Sequence, residues 1–526
     1  MRDLGRRLSW RVVWVAALGL VLAAAATATV TPGSLLSWGS NRDGALGNGT
    51  TTDSNVPVSV SAGAIPSGTT FTQVSAGYDH NLALSSTGQL YSWGGTTTYA
   101  SLGNGSSAGS EVPVAVTDGA IPAGTTFTQI AAGGYLDLAL ASNGHLYSWG
   151  YNEFGELGNG TNSNSTSAVP VAVAFSGYSP LKHIVTISQV SAGINFALAL
   201  GSDGGVYAWG DGTSGQIGNG TMTSSNVPVA AAAGAVPAGT TFTEVAAGLI
   251  NSLALGSNGH VYAWGWNSDG QLGNAGTSPS DVPVAVSAPA GTTFTQIAAG
   301  GDHALALSSS GQIYAWGLNA DGQLGNGTTT NSDVPVAVSA GAIPAGATIA
   351  QIAAGYSDSF ALTTTGQLYA WGSNDGGSLG NGANTNSTVP VAVHLPSGVT
   401  IAQIARGSTQ FHSLAIVQGV SAGPPFTLTG VVPTGDIEAV NVSVTGPCEL
   451  AGVETAKGKR FTVAKVHTAV PQAEVVHLVF TPSSRAKAIL ARTGKLAVSI
   501  RITDTPTGGT PTSTTITRTL HRTHRR

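Results

Sequence analysis

Three histidines at matched positions are the first residues of this chain that could do chemistry. His80, His303 and His412 each lead into a Leu-Ala-Leu or Leu-Ala-Ile run. Three imidazoles can hold zinc. The other four copies of the position carry Leu136, Phe196, Asn251 and Asp358, however, and each copy belongs to a different repeat. A structural hydrogen-bonding role is therefore expected for the histidines. Asn-x-Asp-Gly at residues 41–44, 267–270 and 319–322 resembles the start of a calcium loop. Calcium needs further carboxylates at alternating positions, whereas apolar or amide residues follow here, so Asx-turns are expected. Asn-Gly-Thr recurs at Asn48, Asn159, Asn219 and Asn326. It fits a glycosylation acceptor, but turn chemistry accounts for its recurrence. No Gly-x-Ser-x-Gly elbow, phosphate loop or paired-carboxylate arrangement stands out. Its single cysteine, Cys448, excludes an intramolecular disulfide and reads as a buried structural thiol. No catalytic, cofactor or metal site is expected, and the chain reads as a non-enzyme.

The elements that carry these residues repeat. Trp-Gly pairs stand at Trp38, Trp93, Trp149, Trp209, Trp264, Trp316 and Trp371, spaced by 55, 56, 60, 55, 52 and 55 residues. Such a period is the signature of a repeat architecture. One copy, residues 293–338, supplies four short apolar segments at 294–299, 304–307, 313–316 and 334–338, separated by Ser-Gly, Asp-Gly and Asn-Gly pairs. Segments of four to six residues between such turns are strands closed by hairpins. Four antiparallel strands per repeat, seven times over, describe a seven-bladed β-propeller. Residues 35–39 supply a Trp-Gly strand without its preceding strands, and residues 403–416 supply those strands without a Trp-Gly. The chain's two ends therefore complete one blade and leave no open edge. The tryptophans are expected to pack between blades rather than stack on a ligand.

The alternation of Gln-Ile-Ala-Ala-Gly-x-x-His-x-Leu-Ala-Leu with Tyr-Ala-Trp-Gly-x-Asn-x-x-Gly-Gln-Leu-Gly resembles the RCC1 repeat family, over residues 33–419. The resemblance implies a seven-bladed RCC1-like propeller but no single activity. Members of the family include guanine-nucleotide exchange factors for the small GTPase Ran and secreted bacterial inhibitors of β-lactamases.

Charge and composition divide the chain. Residues 29–419 hold eighteen acidic and three basic side chains, a net −15, while residues 420–526 hold six acidic and thirteen basic, a net +7. An acidic body repels phosphate backbones, so no nucleic acid is expected as a partner. Arg2, Arg6, Arg7 and Arg11 precede an apolar stretch that ends at Ala26-Thr27-Ala28, which reads as a signal peptide over residues 1–28 and a secreted or envelope-associated, bacterial-type protein. Residues 420–425 read as a linker. Six strand-like segments at 426–432, 439–444, 461–466, 475–480, 496–503 and 514–520 suggest an immunoglobulin-like β-sandwich. Residues 485–492 have helical composition within it, and residues 521–526 form a basic tail. Envelope association is expected to run through the N-terminal segment or the basic C-terminal domain, and the protein is expected to be a monomer.

Antiparallel geometry puts the turn after Ala-Ala-Gly and the loop after Trp-Gly at one end of the propeller. Residues there vary between copies: Tyr78, Asp79, Tyr135, Tyr151, Asn195, Leu249, Ile250, Trp266, Asp302 and Tyr356. Aromatic rings, aliphatic residues and acids gathered on one rim are what a protein-recognition face displays. The sequence is thus read as an exported scaffold that binds a protein partner through this face. Exchange-factor and β-lactamase-inhibitor activities are the alternatives that the resemblance implies.

Overall fold

The computed structural model describes residues 30–521 except 96, 164–165, 176–185, 406, 408–410, 421–425, 435–436, 445–447, 457–461, 471–474, 481–494 and 507–511. The signal-peptide reading, the helical reading at 485–492, and most of the linker and basic tail lie outside the described residues. Within those described, no helix is long and apolar enough to cross a membrane.

Seven four-stranded antiparallel sheets form the propeller. We number the blades I to VII and letter their strands a to d. Strand a is Phe71–Ala76, Phe127–Ala132, Ile187–Ala192, Phe242–Ala247, Phe294–Ala299, Ile349–Ala354 and Val399–Ile404 in blades I to VII. These strands line a narrow central channel of about 280 Å³. Strands b and c are largely buried; in blade V they are His303–Ser308 and Ile313–Gly317. Blade VII is assembled from both ends of the chain: Val399–Ile404 and His412–Val420 pair onward with Leu35–Gly39 and Ser54–Ser59. Its Gly39↔His412 register reproduces the Gly317↔His303 register of blade V.

Two hydrogen-bonded belts join the blades. In the first, each repeat tryptophan is fully buried and its indole Nε1 donates to a carbonyl of the preceding blade. Trp93 reaches Ala45, Trp149 Ser101, Trp209 Glu156, Trp264 Gln216, Trp316 Gln271, Trp371 Gln323 and Trp38 Ser378, at 2.8–3.0 Å. The neighbouring glycine is required by this approach. Gly325 has φ +62, and a Cβ there would lie 2.6 Å from Trp371 Nε1.

The second belt rings the channel. The residue before Ile or Val in strand a accepts the backbone N–H of strand a in the next blade. The pairs are Gln73 with Ile130, Gln129 with Val190, Gln189 with Val245, Glu244 with Ile297, Gln296 with Ile352, Gln351 with Ile404, and Gln403 with Val74. The last pair closes the circle. Each such bond contributes about 1 kcal/mol net.

The asparagine loops correct the Asx-turn expectation. Asn41 is fully buried, accepts the Leu46 N–H at 2.8 Å and donates to Thr50 and Thr52 carbonyls. Asn319 repeats this with Leu324, Thr328 and Thr330. The amide staples the whole loop from inside, because the loop must satisfy its own buried carbonyls. Asn48, Asn159, Asn219 and Asn326 do make the local turn, each accepting the N–H two residues ahead.

After the propeller the described residues form seven strands in two antiparallel sheets. Phe426–Thr434, Ile437–Val444 and Val475–Phe480 form one; Thr462–Val470, Cys448–Ala456, Lys495–Pro506 and Thr512–His521 form the other, in those spatial orders. Six strands were expected. The seventh, Cys448–Ala456, carries Ala, Gly and two Glu, residues depleted in strands, and its place inside the sheet is set by pairing on both sides.

Candidate functional site

The turns between strands a and b meet the loops between strands c and d at one end of the propeller in every blade. The residue after Trp-Gly donates its N–H to the carbonyl just before strand b: Gly95 to Asp79, Tyr151 to Tyr135, Asp211 to Asn195, Trp266 to Ile250, Leu318 to Asp302, Ser373 to Ser357 and Ser40 to Phe411. Backbone bonds also run from turn to turn around the mouth, Tyr135 N to Ile194 O, Ile194 N to Leu249 O, Leu249 N to Gly301 O and Gly301 N to Tyr356 O. The ten residues singled out from the sequence all lie at this mouth.

They divide into two sectors. Over blades VI, VII, I and II the rings form one continuous arc: Tyr356–Phe411 at 4.8 Å, Phe411–Tyr78 at 5.3 Å, Tyr78–Tyr135 at 5.9 Å, Tyr135–Tyr99 at 3.9 Å and stacked, and Tyr99–Tyr151 at 5.6 Å. Tyr78 is 36% exposed and the other five rings are half-buried. Over blades III to V the candidates stand apart. Trp266 is 38% exposed and its indole donates to Ser268 Oγ, and Leu249 and Ile250 are half-buried. Asp302 accepts from Gln271 Nε2 at 3.0 Å, and Asn195 keeps a buried, unpartnered Oδ1.

Two members of the arc, Tyr99 and Phe411, escaped the sequence reading. The turn of blade VII is two residues longer than the others, so counting forward from Gly407 reaches Ser408 and Thr409. Counting back from His412 would have found Phe411 in the slot of Asp79. Blade I lacks the asparagine staple after Trp93, and its loop is one residue longer. Ala100 takes the glycine slot with φ +52, which carries Tyr99 to the rim.

Beneath the arc lies buried charge. His80 Nε2 is 2.9 Å from Asp137 Oδ1 across the blade I–II interface, both fully buried. Asp79 Oδ1 stands 3.5 Å from His80 Nδ1, a charge contact rather than a hydrogen bond. Burial alone would lower His80, but the Asp137 carboxylate, helped by Asp79, overrides it and holds the imidazolium up to a pKa of about 10. His303 bonds Ser359 and His412 bonds Asn81, each at 2.9 Å across its own interface. Burial lowers both to about 4. The histidines are therefore interblade struts rather than a joint metal site, as their scatter among repeats implied. Burial shifts carboxyls the other way: Glu156 and Asp358 each rise to about 7, and Asp43, Asp137 and Asp302 are also raised above the ordinary carboxylate range. Among the described residues no group of three His, Cys, Asp or Glu is arranged to hold a metal ion.

The match to known proteins follows the propeller. The RCC1-like domain family matches residues 118–423, and the regulator of chromosome condensation (RCC1) repeat matches residues 32–84. The chain is 32% identical over 356 residues to the ultraviolet-B receptor UVR8 of Arabidopsis thaliana, covering 67% of this chain and 76% of the receptor. It is 31% identical over 346 residues to the E3 ubiquitin-protein ligase HERC2 of Mus musculus, covering 65% of this chain but 7% of the ligase. Human WBSCR16 superposes with a TM-score of 0.64 at 22% identity, over 74% of this chain and 99% of that one. Yeast RCC1 (Prp20), solved bound to Kap60, superposes with a TM-score of 0.62 at 22% identity, over 75% and 90%.

Proposed function

This chain belongs to the RCC1 repeat family, and from that membership we propose that it is an exported, non-enzymatic binding protein that holds a protein partner on the aromatic arc at the mouth of the propeller. The observation that carries the reading is the arc itself. Six rings in successive contact along one rim, with exposed and half-buried faces, form an apolar patch of the kind that marks an interaction surface. Tyrosine and phenylalanine supply contact area at little entropic cost, which is why such rings anchor protein interfaces. Yeast RCC1 (Prp20) was solved with Kap60, and Prp20p was studied for binding Gsp1p and histones, so propellers of this shape are used as protein-binding scaffolds.

Export is proposed on the basic and apolar composition of residues 1–28. The module after the propeller is proposed to be an immunoglobulin-like sandwich. Its support is strand order: the fifth strand returns beside the second, and the fourth joins the third, sixth and seventh in the other sheet. The test is capture from culture medium and envelope extract on immobilised full-length protein, compared with a Tyr99→Ala/Tyr135→Ala/Tyr151→Ala variant and a Trp266→Ala control. We expect the triple variant to lose the partner and the control to keep it. Equal capture by a triple variant of unchanged melting temperature overturns the face. Guanine-nucleotide exchange is the second reading, and acceleration of labelled-GDP release from a small GTPase would replace the first.

A further inference from the structure

Two clefts open side by side where blades VI, VII and I meet at the mouth, and they share Phe411 and Asp375. The first, about 260 Å³, runs among Arg42, Asp43, Asp53 and Asp79 with Tyr78 as a wall. The second, about 150 Å³, is bounded by Tyr356, Asp321 and Asp358. Tyr356 and Phe411, 4.8 Å apart and tilted by 36°, stand over the join. At the inner end Asp358 is 3% exposed, and its Oδ1 has no hydrogen-bond partner. An unpaired buried acceptor is destabilising, and the fold does not demand it, since other repeats place His, Leu or Phe at this position. An acceptor held empty beside a cleft is ready for a donor from outside.

The surroundings state the donor's charge. Asp43, Asp53, Asp79, Asp321 and Asp375 line the two clefts against a single cation, Arg42, which makes no ion pair within 4 Å among the described residues. The described carboxylates are not grouped as metal ligands. Ring faces beside carboxylates suit an organic cation, which stacks on the rings while its N–H groups reach the acids. We propose that the joined clefts anchor an arginine or lysine side chain from a basic segment of the partner protein, lying across Phe411 and Tyr356 with its N–H groups directed to Asp375 and the free oxygen of Asp358. The inference rests on the mouth-face reading and supplies the partner's chemistry. The propeller's net −15 favours the approach of such a segment.

The probe is a fluorescein-labelled Gly-Ser peptide carrying two arginines, with a glutamine-substituted twin, titrated with the full chain by anisotropy at low and high salt. The arginine peptide should bind, weaken with salt, and outcompete the glutamine twin. Asp375→Asn should weaken it about tenfold, and Phe411→Ala by a similar factor. Both positions lie at the surface, so the test survives even if Asp358→Asn fails to fold. Equal binding of the glutamine twin, or undiminished binding by Asp375→Asn/Phe411→Ala, overturns the proposal. Capture that still depends on Tyr99, Tyr135 and Tyr151 while the arginine peptide does not bind overturns the cation anchor alone. Arginine-peptide binding that fails with Asp375→Asn, in a protein whose triple tyrosine variant still captures partner, overturns the wider face and leaves the anchor standing.

Discussion

His80 and His303 occupy the same position in blades I and V, lie behind the same glycine turn and are both fully buried, yet one is held as a cation and the other as a neutral ring. The main difference comes from the next blade, where Asp137 faces His80 and Ser359 faces His303, and Asp79 adds a second charge 3.5 Å from His80. Repetition thus copies a place and leaves its chemistry to the residues set around it. The charged interface, between blades I and II, lies under the middle of the aromatic arc. The neutral one, between V and VI, lies beside the clefts.

The comparison first requires that the two interfaces share a frame. Trp149 spans the I–II interface and Trp371 the V–VI interface, with equal burial and equivalent carbonyl partners. Trp149→Ala and Trp371→Ala should therefore each cost about 3–5 kcal/mol in chemical denaturation. A difference between them of much more than about 1 kcal/mol would show that packing, and not only charge, separates the interfaces.

The next measurement breaks the charge itself. Asp137→Ala leaves a buried imidazolium without its counter-charge and should cost about 3 kcal/mol or more. Ser359→Ala removes one neutral hydrogen bond and should cost about 1 kcal/mol. If the two losses match, His80 is not held as a cation.

Titration gives the same contrast a sign. His80 has its folded pKa raised above the unfolded value, so its stabilisation is complete below about pH 6.5 and is lost as pH rises toward about 10. His303 is lowered to about 4, so stability falls as pH drops from about 6.5 toward 4, where the unfolded chain takes up a proton that the folded one refuses. His412 acts in the same acid window. His303→Gln should flatten the acid limb of a stability–pH curve, and His80→Gln the alkaline limb. An acid limb unchanged in His303→Gln/His412→Gln would remove the neutral assignment.

Much of this was legible in the sequence, but unevenly. The Trp-Gly count gave seven blades and the shared blade VII, because the tryptophan and its glycine contact are obligatory in every copy. The glutamine belt lay in plain view in the same motif. It went unread because a single repeat does not show that Gln73 reaches Ile130 of its neighbour. The mouth was placed correctly, since strand direction alone decides it. Membership of the arc was not, because Phe411 and Tyr99 sit where a turn and a loop have gained residues, and fixed offsets fail at insertions. Nor could spacing reveal that Tyr135 touches Tyr99 while Trp266 touches no ring among the described residues, for that depends on side-chain direction at the rim.

That last distinction yields the smallest effect and the sharpest test of the two sectors. Tyr99 and Tyr135 are stacked at 3.9 Å, and burial together with Tyr99 raises the Tyr135 phenol well above its usual range. Each single alanine variant should cost little, since both rings are half-exposed. The double-mutant cycle should nevertheless return a coupling of about 1 kcal/mol. The corresponding cycle for Leu249 and Trp266 in the other sector should return a value within about 0.5 kcal/mol of zero. A coupled arc presents its rings as one preorganised surface, so a partner meets little ordering cost on docking. Zero coupling at Tyr99–Tyr135 would make the arc six separate side chains and strip the sector of its advantage over blades III to V.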